Sequence, residues 1–147
     1  MRTIENLIDN CTPGALSLLR VIAGYLYLQH GTAKLLQVPH LQMFDQLRPL
    51  SLDGFAGMLE IAGGLLVLLG LFTRPSAFIL SGEMAVAYFA VHDRQGNFFT
   101  PVLNGGEEAV LYCFIFLFFA AAGGGPWSVD ALLAHKRPAD LSERRRQ

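Results

Sequence analysis

Six ionisable residues stand where an apolar chain has least reason to keep them. His30 and Lys34 close the run LSLLRVIAGYLYLQHGTAKLL, Glu60 and Glu83 lie inside the next two apolar runs, His92 ends the third, and Glu107 opens the fourth. Imidazole and carboxylate are the side chains that most readily exchange protons with a bound ligand. Lysine and arginine supply the balancing charge. At the middle of a membrane helix an ionised side chain costs about 2.5–3.5 kcal/mol on insertion scales, so such groups are expected to face inward, paired or wet. On this reading Glu60, His30 and Glu83 are the proton-exchanging candidates. Lys34, His92, Glu107, Tyr112 and Arg20 are the candidates for binding a ligand or cofactor. The structural alternative is that Lys34 and Arg20 snorkel to headgroups, that Glu60 and Glu83 are protonated and hold helices together, and that His92 and Glu107 cap helix ends.

The elements that must position these groups follow from composition. Of the 147 residues 52% are hydrophobic and 16% charged, against about 25% charged in an ordinary soluble domain. GGLLVLLGLF and LYCFIFLFFAAA have no polar face of the kind a soluble bundle needs. The four apolar runs predict an all-α integral membrane four-helix bundle, with helices over about 13–36, 54–72, 75–92 and 107–123. It forms one transmembrane domain over 1–133, followed by a basic tail over 134–147. Residues 1–12 read as an amphipathic lead-in, and Pro13 suits the first turn of a helix. The first run carries acidic residues at its start and is followed by three more, so it is read as retained and not as a cleaved signal. Gly57, Gly63 and Gly64 flank Glu60, and Gly82 precedes Glu83; small residues at such spacings let helices approach closely. Tyr25, Tyr27, Tyr88 and Tyr112 offer hydroxyls to a flat head group.

Five of the 11 basic residues, Lys136, Arg137, Arg144, Arg145 and Arg146, lie in the tail. The positive-inside rule therefore places both termini in the cytoplasm and loops 37–53 and 93–106 outside. A basic tail on a hydrophobic body is explained by anionic lipid headgroups and argues against nucleic acid, which is met by a broad charged face. Gly105-Gly106-Glu107 lacks the lysine and strand of a nucleotide loop. Histidines and carboxylates come one per helix with no HExxH-type spacing, so no metal ligand set is assigned, and haem is disfavoured on the same ground. Cys11 and Cys113 fit no motif and are read as free thiols.

Leu19-Arg20, His30-Gly31 with Lys34-Leu35, Glu60 with Gly63-Gly64, Gly70-Leu71-Phe72-Thr73-Arg74, the stretch from Met84 to His92, Asn104-Gly105-Gly106-Glu107 with Tyr112, and Ser128-Val129-Asp130 occur in this order. Over about residues 14–133 the set resembles the DoxX family of small four-span bacterial membrane proteins. The resemblance implies redox work at the cytoplasmic membrane, since DoxD relatives resemble the quinone-reducing subunit of a thiosulfate:quinone oxidoreductase. It also implies a quinone or small amphiphile as ligand and a redox partner protein or a homo-oligomer, because side chains alone do not carry such electrons. A non-catalytic anchor or assembly subunit, with its buried charges structural, is the other reading. Four spans with cytoplasmic termini require positions 48 and 97 to label from outside and positions 74 and 142 from inside. Cysteine labelling that finds position 74 outside and 142 inside overturns this topology.

Overall fold

The structure is a computed structural model that describes the backbone of residues 2–92 and 97–135 and the side chains of residues 9–91 and 97–135. The described chain is all-α. Helix α1 runs over Arg2–Leu36, α2 over Leu52–Leu69, α3 over Thr73–Ala87, the single turn α4 over Pro101–Asn104, and α5 over Glu107–Ala122. A 3-10 turn, Gln42–Phe44, lies in the α1–α2 loop, and a π turn, Tyr88–His92, extends α3. Among the described residues, Asp9–Leu36 and Leu52–Leu69 are long and apolar enough to cross a membrane, by length and composition. The outer faces of all the long helices are apolar, with Leu18, Phe55, Phe78 and Phe114 each more than half exposed.

Several boundaries differ from those expected. The lead-in and the first apolar run form one helix, with Pro13 inside it. The Ser17 hydroxyl donates to the Pro13 carbonyl at 3.1 Å. Helix α2 starts early, at Leu52, because the Ser51 hydroxyl accepts from the Gly54 N–H. It stops at Leu69 because Gly70 takes the left-handed conformation (φ 69°). A Cβ on Gly70 would lie 2.5 Å from the Ser128 side chain, so glycine is needed here for space as well. Phe72 and Thr73 then enter α3 without a loop, their N–H groups donating to the Asp130 carboxylate at 2.9 and 2.8 Å. Residues 129–135 form the short tail helix. The basic residues from Lys136 onward lie outside the described residues.

Packing is antiparallel: α1 lies along α2, α3 along α5, and α2 against α3. Glycine makes the first contact. Gly24 and Gly31 of α1 meet Gly57 and Gly64 of α2, each pair seven apart, so one face of each helix presents backbone to backbone. A Cβ on Gly24 would stand 2.6 Å from the Leu68 nitrogen, and one on Gly31 would stand 2.7 Å from the Ile61 nitrogen. Gly63 faces Leu80 of α3. Gly82, expected to pack closely, is exposed with nothing near it.

Arg20 ties one end together. It is 1% exposed, and its guanidinium donates to the carbonyls of Val67 (2.6 Å), Gly124 (2.8 Å) and Trp127 (2.6 Å). It therefore caps the C-terminus of α2 and anchors the turn after α5. Arg74 does the same for α5, donating to the Ala120 and Ala122 carbonyls at 3.2 and 3.4 Å. Cations at helix C-termini and a carboxylate at the α3 N-terminus all oppose the helix dipoles correctly. Partial burial pushes the Asp130 carboxyl up, but the Thr73 and Phe72 N–H groups and the Arg20 charge outweigh it and hold it below the usual carboxylate range.

Gly31→Ala is expected to cost about 1–3 kcal/mol, the usual range for overpacking. Gly82→Ala should be neutral or stabilising by about 0.5–1 kcal/mol, since it adds helix propensity in open space. Thermal unfolding of both variants in one lipid mixture checks the pair. Equal effects would remove the close-approach account of α1 and α2.

Candidate functional site

At the end opposite Arg20, the α1–α2 contact carries an ion pair. Lys34 lies one turn beyond Gly31 on α1, and Glu60 lies between Gly57 and Gly64 on α2. The Lys34 ammonium reaches Glu60 Oε1 at 2.6 Å, with Glu60 almost fully buried. From the α1–α2 loop the ring of Phe44 covers the ammonium, its centroid 5.9 Å from Nζ. One oxygen of Glu60 is thus held by a charge-assisted bond. Its other oxygen, Oε2, is buried with no hydrogen-bond partner.

Helix α3 brings the second carboxylate. The hydroxyl of Tyr27, a fully buried α1 residue, donates to Glu83 Oε2 at 2.9 Å. Glu83 Oε1 is buried and unpartnered, like its counterpart on Glu60. Glu83 also lies within electrostatic reach of Glu60 and Lys34.

Aromatic rings complete the site. Tyr27 packs edge-on against Phe116 with centroids 4.7 Å apart, and Tyr112 stacks on Phe116 at 5.6 Å. His30 stands 6.1 Å from the Tyr112 ring and 6.4 Å from that of Tyr27. His30, Lys34, Glu83 and Tyr112 are half-buried, whereas Glu60 and the free oxygen of Glu83 are shut off from the surface.

His30, Lys34, Glu60, Glu83 and Tyr112 therefore come together, from four helices. Arg20 does not join them, because its donors are taken by carbonyls at the far end. Glu107 is exposed at the α5 N-terminus, turned away from the cluster, where a carboxylate suits the helix dipole. The His92 side chain lies outside the described residues. Tyr25 faces outward at 53% exposure. Tyr27 carries more than its sequence suggested, and the signal was available: Tyr27, Gly31 and Lys34 repeat at helical spacing.

Asn104 entered the sequence reading only as part of a motif and was given no role of its own. It is buried, accepts from the Gly106 N–H at 2.9 Å and donates to Tyr88 Oη at 3.3 Å, so it fixes the turn into α5 against the π turn. Asparagine directly before Gly-Gly was its signal. Beside it, an apolar cleft of about 400 Å³ is lined by Met84, Tyr88, Phe89, Phe98, Cys113 and Phe114. Cys11 and Cys113 are free thiols. Among the described residues no group of three or more histidine, cysteine or acidic side chains is placed to hold a metal.

The family model described as DoxX matches residues 15–93, a span that contains Arg20, His30, Lys34, Glu60 and Glu83 and stops short of Tyr112. An uncharacterized protein of Haemophilus influenzae is 41% identical over 137 residues, covering 85% of this chain and 95% of the relative. No solved structure matches the chain.

Lys34→Met leaves the Glu60 carboxylate buried without its cation and is expected to destabilise by about 3–5 kcal/mol. Adding Glu60→Leu removes the stranded charge and should restore most of that loss. Unfolding of both single variants and the double variant gives the coupling directly. A double variant as unstable as the two singles added together would mean that the pair does not interact.

Proposed function

The chain belongs to the DoxX family of membrane proteins, and from that premise we propose that it is a quinone-interacting redox subunit of the bacterial cytoplasmic (inner) membrane. One observation carries the reading. Glu60 and Glu83, on different helices, each have one oxygen held by a donor of α1 and the other buried without a partner. A purely structural carboxylate is expected to have its oxygens satisfied. Carboxylates held in position with an acceptor unused suit proton exchange with a bound ring. His30, Glu60 and Glu83 serve that exchange, Lys34 and Tyr27 hold the carboxylates, and the rings of His30 and Tyr112 face a flat head group. The electrons are exchanged between the ring and a redox partner protein, since side chains alone do not carry them.

In this reading the chain crosses the membrane four times, as α1, α2, α3 with its π turn, and α5. Exposed apolar residues on all four support it. So does length: Thr73 to His92 rises about 30 Å at 1.5 Å per residue, close to the thickness of a bilayer core. Both termini lie in the cytoplasm, where Arg74 and the basic tail belong, and the Lys34–Glu60 cluster opens in the outward leaflet.

A second reading, a non-catalytic anchor or assembly subunit, is favoured by the Lys34–Glu60 pair itself, which joins α1 to α2 without any ligand. Glu60→Gln separates the two, since glutamine keeps an acceptor and cannot take up a proton at neutral pH. Proton exchange predicts a protein that melts like the wild type in native-lipid particles, with quinone-linked turnover lowered about 10²-fold or more. Full turnover in a folded Glu60→Gln protein, or wild-type particles that neither retain nor turn over a quinone, leaves the anchor reading.

A further inference from the structure

Two hairpins make up the body of the chain, α1 with α2 and α3 with α5, and the polar ties between them are unevenly placed. At the Arg20 end they are joined several times over. Arg20 donates to the Gly124 and Trp127 carbonyls, the Trp127 N–H donates to the Ser17 hydroxyl at 3.2 Å, and the Asp130 N–H donates to the Gly70 carbonyl at 2.9 Å. The chain itself also passes from one hairpin to the other there, at residues 70–72. Toward the Lys34 end, a single hydrogen bond between described residues crosses from hairpin to hairpin, the one from Tyr27 to Glu83. The Lys34–Glu60 pair and the Ser81–Cys113 contact each stay within one hairpin.

The rest of the seam between α1 and α5 is ring against ring. Tyr27 meets Phe116 and Tyr112 with centroids 4.7 and 5.2 Å apart, and His30 meets Tyr112 at 6.1 Å. Between α2 and α3 the contact is closer, because Gly63 lets Leu80 approach. In lipid, apolar packing of this kind is readily replaced by acyl chains, so polar ties decide which contacts persist. The closed seam also leaves Glu60 Oε2 and Glu83 Oε1 unpartnered and shut off from the surface. Parting the seam relieves that penalty by admitting water or a polar group.

We infer that the α1–α5 seam is a lateral gate, hinged at the Arg20 end and latched by the Tyr27–Glu83 hydrogen bond, and that the structure holds it closed. Half-buried His30 and Tyr112 stand at its mouth, with the two carboxylates behind them. Release of Tyr27 bares Glu83 first, since Lys34 keeps Glu60 within its own hairpin. A flat amphiphile then enters sideways from the lipid. Opening is a property of the chain alone; use of the gate as the entry for a ring ligand rests on the quinone reading. The two conformations are in equilibrium, and loss of one hydrogen bond to a carboxylate shifts their ratio by about tenfold or more.

The test measures distances between spin labels by pulsed electron resonance on the full chain in lipid nanodiscs, with Cys11→Ala and Cys113→Ala as the background. One pair of labels, on Leu26→Cys and Leu111→Cys, spans the seam toward the Lys34 end; a second, on Leu18→Cys and Ala121→Cys, spans the hinge. All four positions are exposed and outside the cluster. Tyr27→Phe keeps the ring and removes the O–H. It is expected to raise a longer-distance component of the Leu26–Leu111 pair by about tenfold relative to the closed one, while the Leu18–Ala121 pair is unchanged. Glu83→Gln, whose amide oxygen still accepts from Tyr27, should open less. An unaltered Leu26–Leu111 distribution in Tyr27→Phe overturns the gate, and so does lengthening of both pairs together, which is loosening without a hinge. Turnover of a short-chain benzoquinone by a chain whose Leu26–Leu111 pair never lengthens overturns the gate and leaves the quinone reading. Opening in Tyr27→Phe, with no binding or turnover of that benzoquinone by the wild type, overturns the quinone reading and leaves the gate.

Discussion

The missing Cβ atoms at the α1–α2 contact set the scale of everything near them. Lipid gives two apolar helices little reason to associate, because a leucine is as well solvated by acyl chains as by another leucine. Close van der Waals packing and polar contacts must hold them. Gly24, Gly31, Gly57 and Gly64 let one backbone rest almost on the other. Lys34 then finds Glu60 at 2.6 Å across a gap that larger residues would have widened. The ion pair is a consequence of the glycines as much as of the charges.

The molecule meets the difficulty of burying charge in two ways, and the contrast separates scaffold from site. Arg20 is surrounded by backbone carbonyls that the end of α2 and the turn after α5 would otherwise leave unpaired. Both sides of that arrangement are satisfied within the chain. The Lys34–Glu60–Glu83 cluster is not closed in this way: Glu60 Oε2 and Glu83 Oε1 are buried without a hydrogen-bond partner. A buried polar network that is only partly satisfied is costly, and that cost sets this end of the bundle apart from the Arg20 end.

Much of this was legible in the sequence, and the illegible part has a common cause. Run length and loop position gave the depth of His30, Lys34, Glu60, Glu83 and Tyr112, and those five do meet. Rotation about each helix axis was not given. Glu107 has the right level and the wrong face, and Gly82 looks outward although Glu83 beside it looks in. Gly24 and Gly31 became significant only opposite Gly57 and Gly64, since a seven-residue glycine spacing in one helix is common and its match in a neighbour is informative. Arg20 was assigned to ligand binding because its partners are main-chain carbonyls, which leave no mark in side-chain types. The role of Asp130 was hidden for a related reason: its target is a pair of N–H groups 58 and 57 positions away.

The partners of Arg20 also impose an order on assembly. Two of its acceptors belong to Val67 and Leu68, 47 and 48 residues downstream, but Gly124 and Trp127 follow at 104 and 107. During synthesis the first helical pair can form while half of the guanidinium's hydrogen bonds still await Gly124 and Trp127. A product released before residue 124 keeps a partly unsatisfied cation in its interior. The turn after α5 thus acts as a keystone: the α1–α2 pair is not self-sufficient until residues 124–127 have come back to the buried cation.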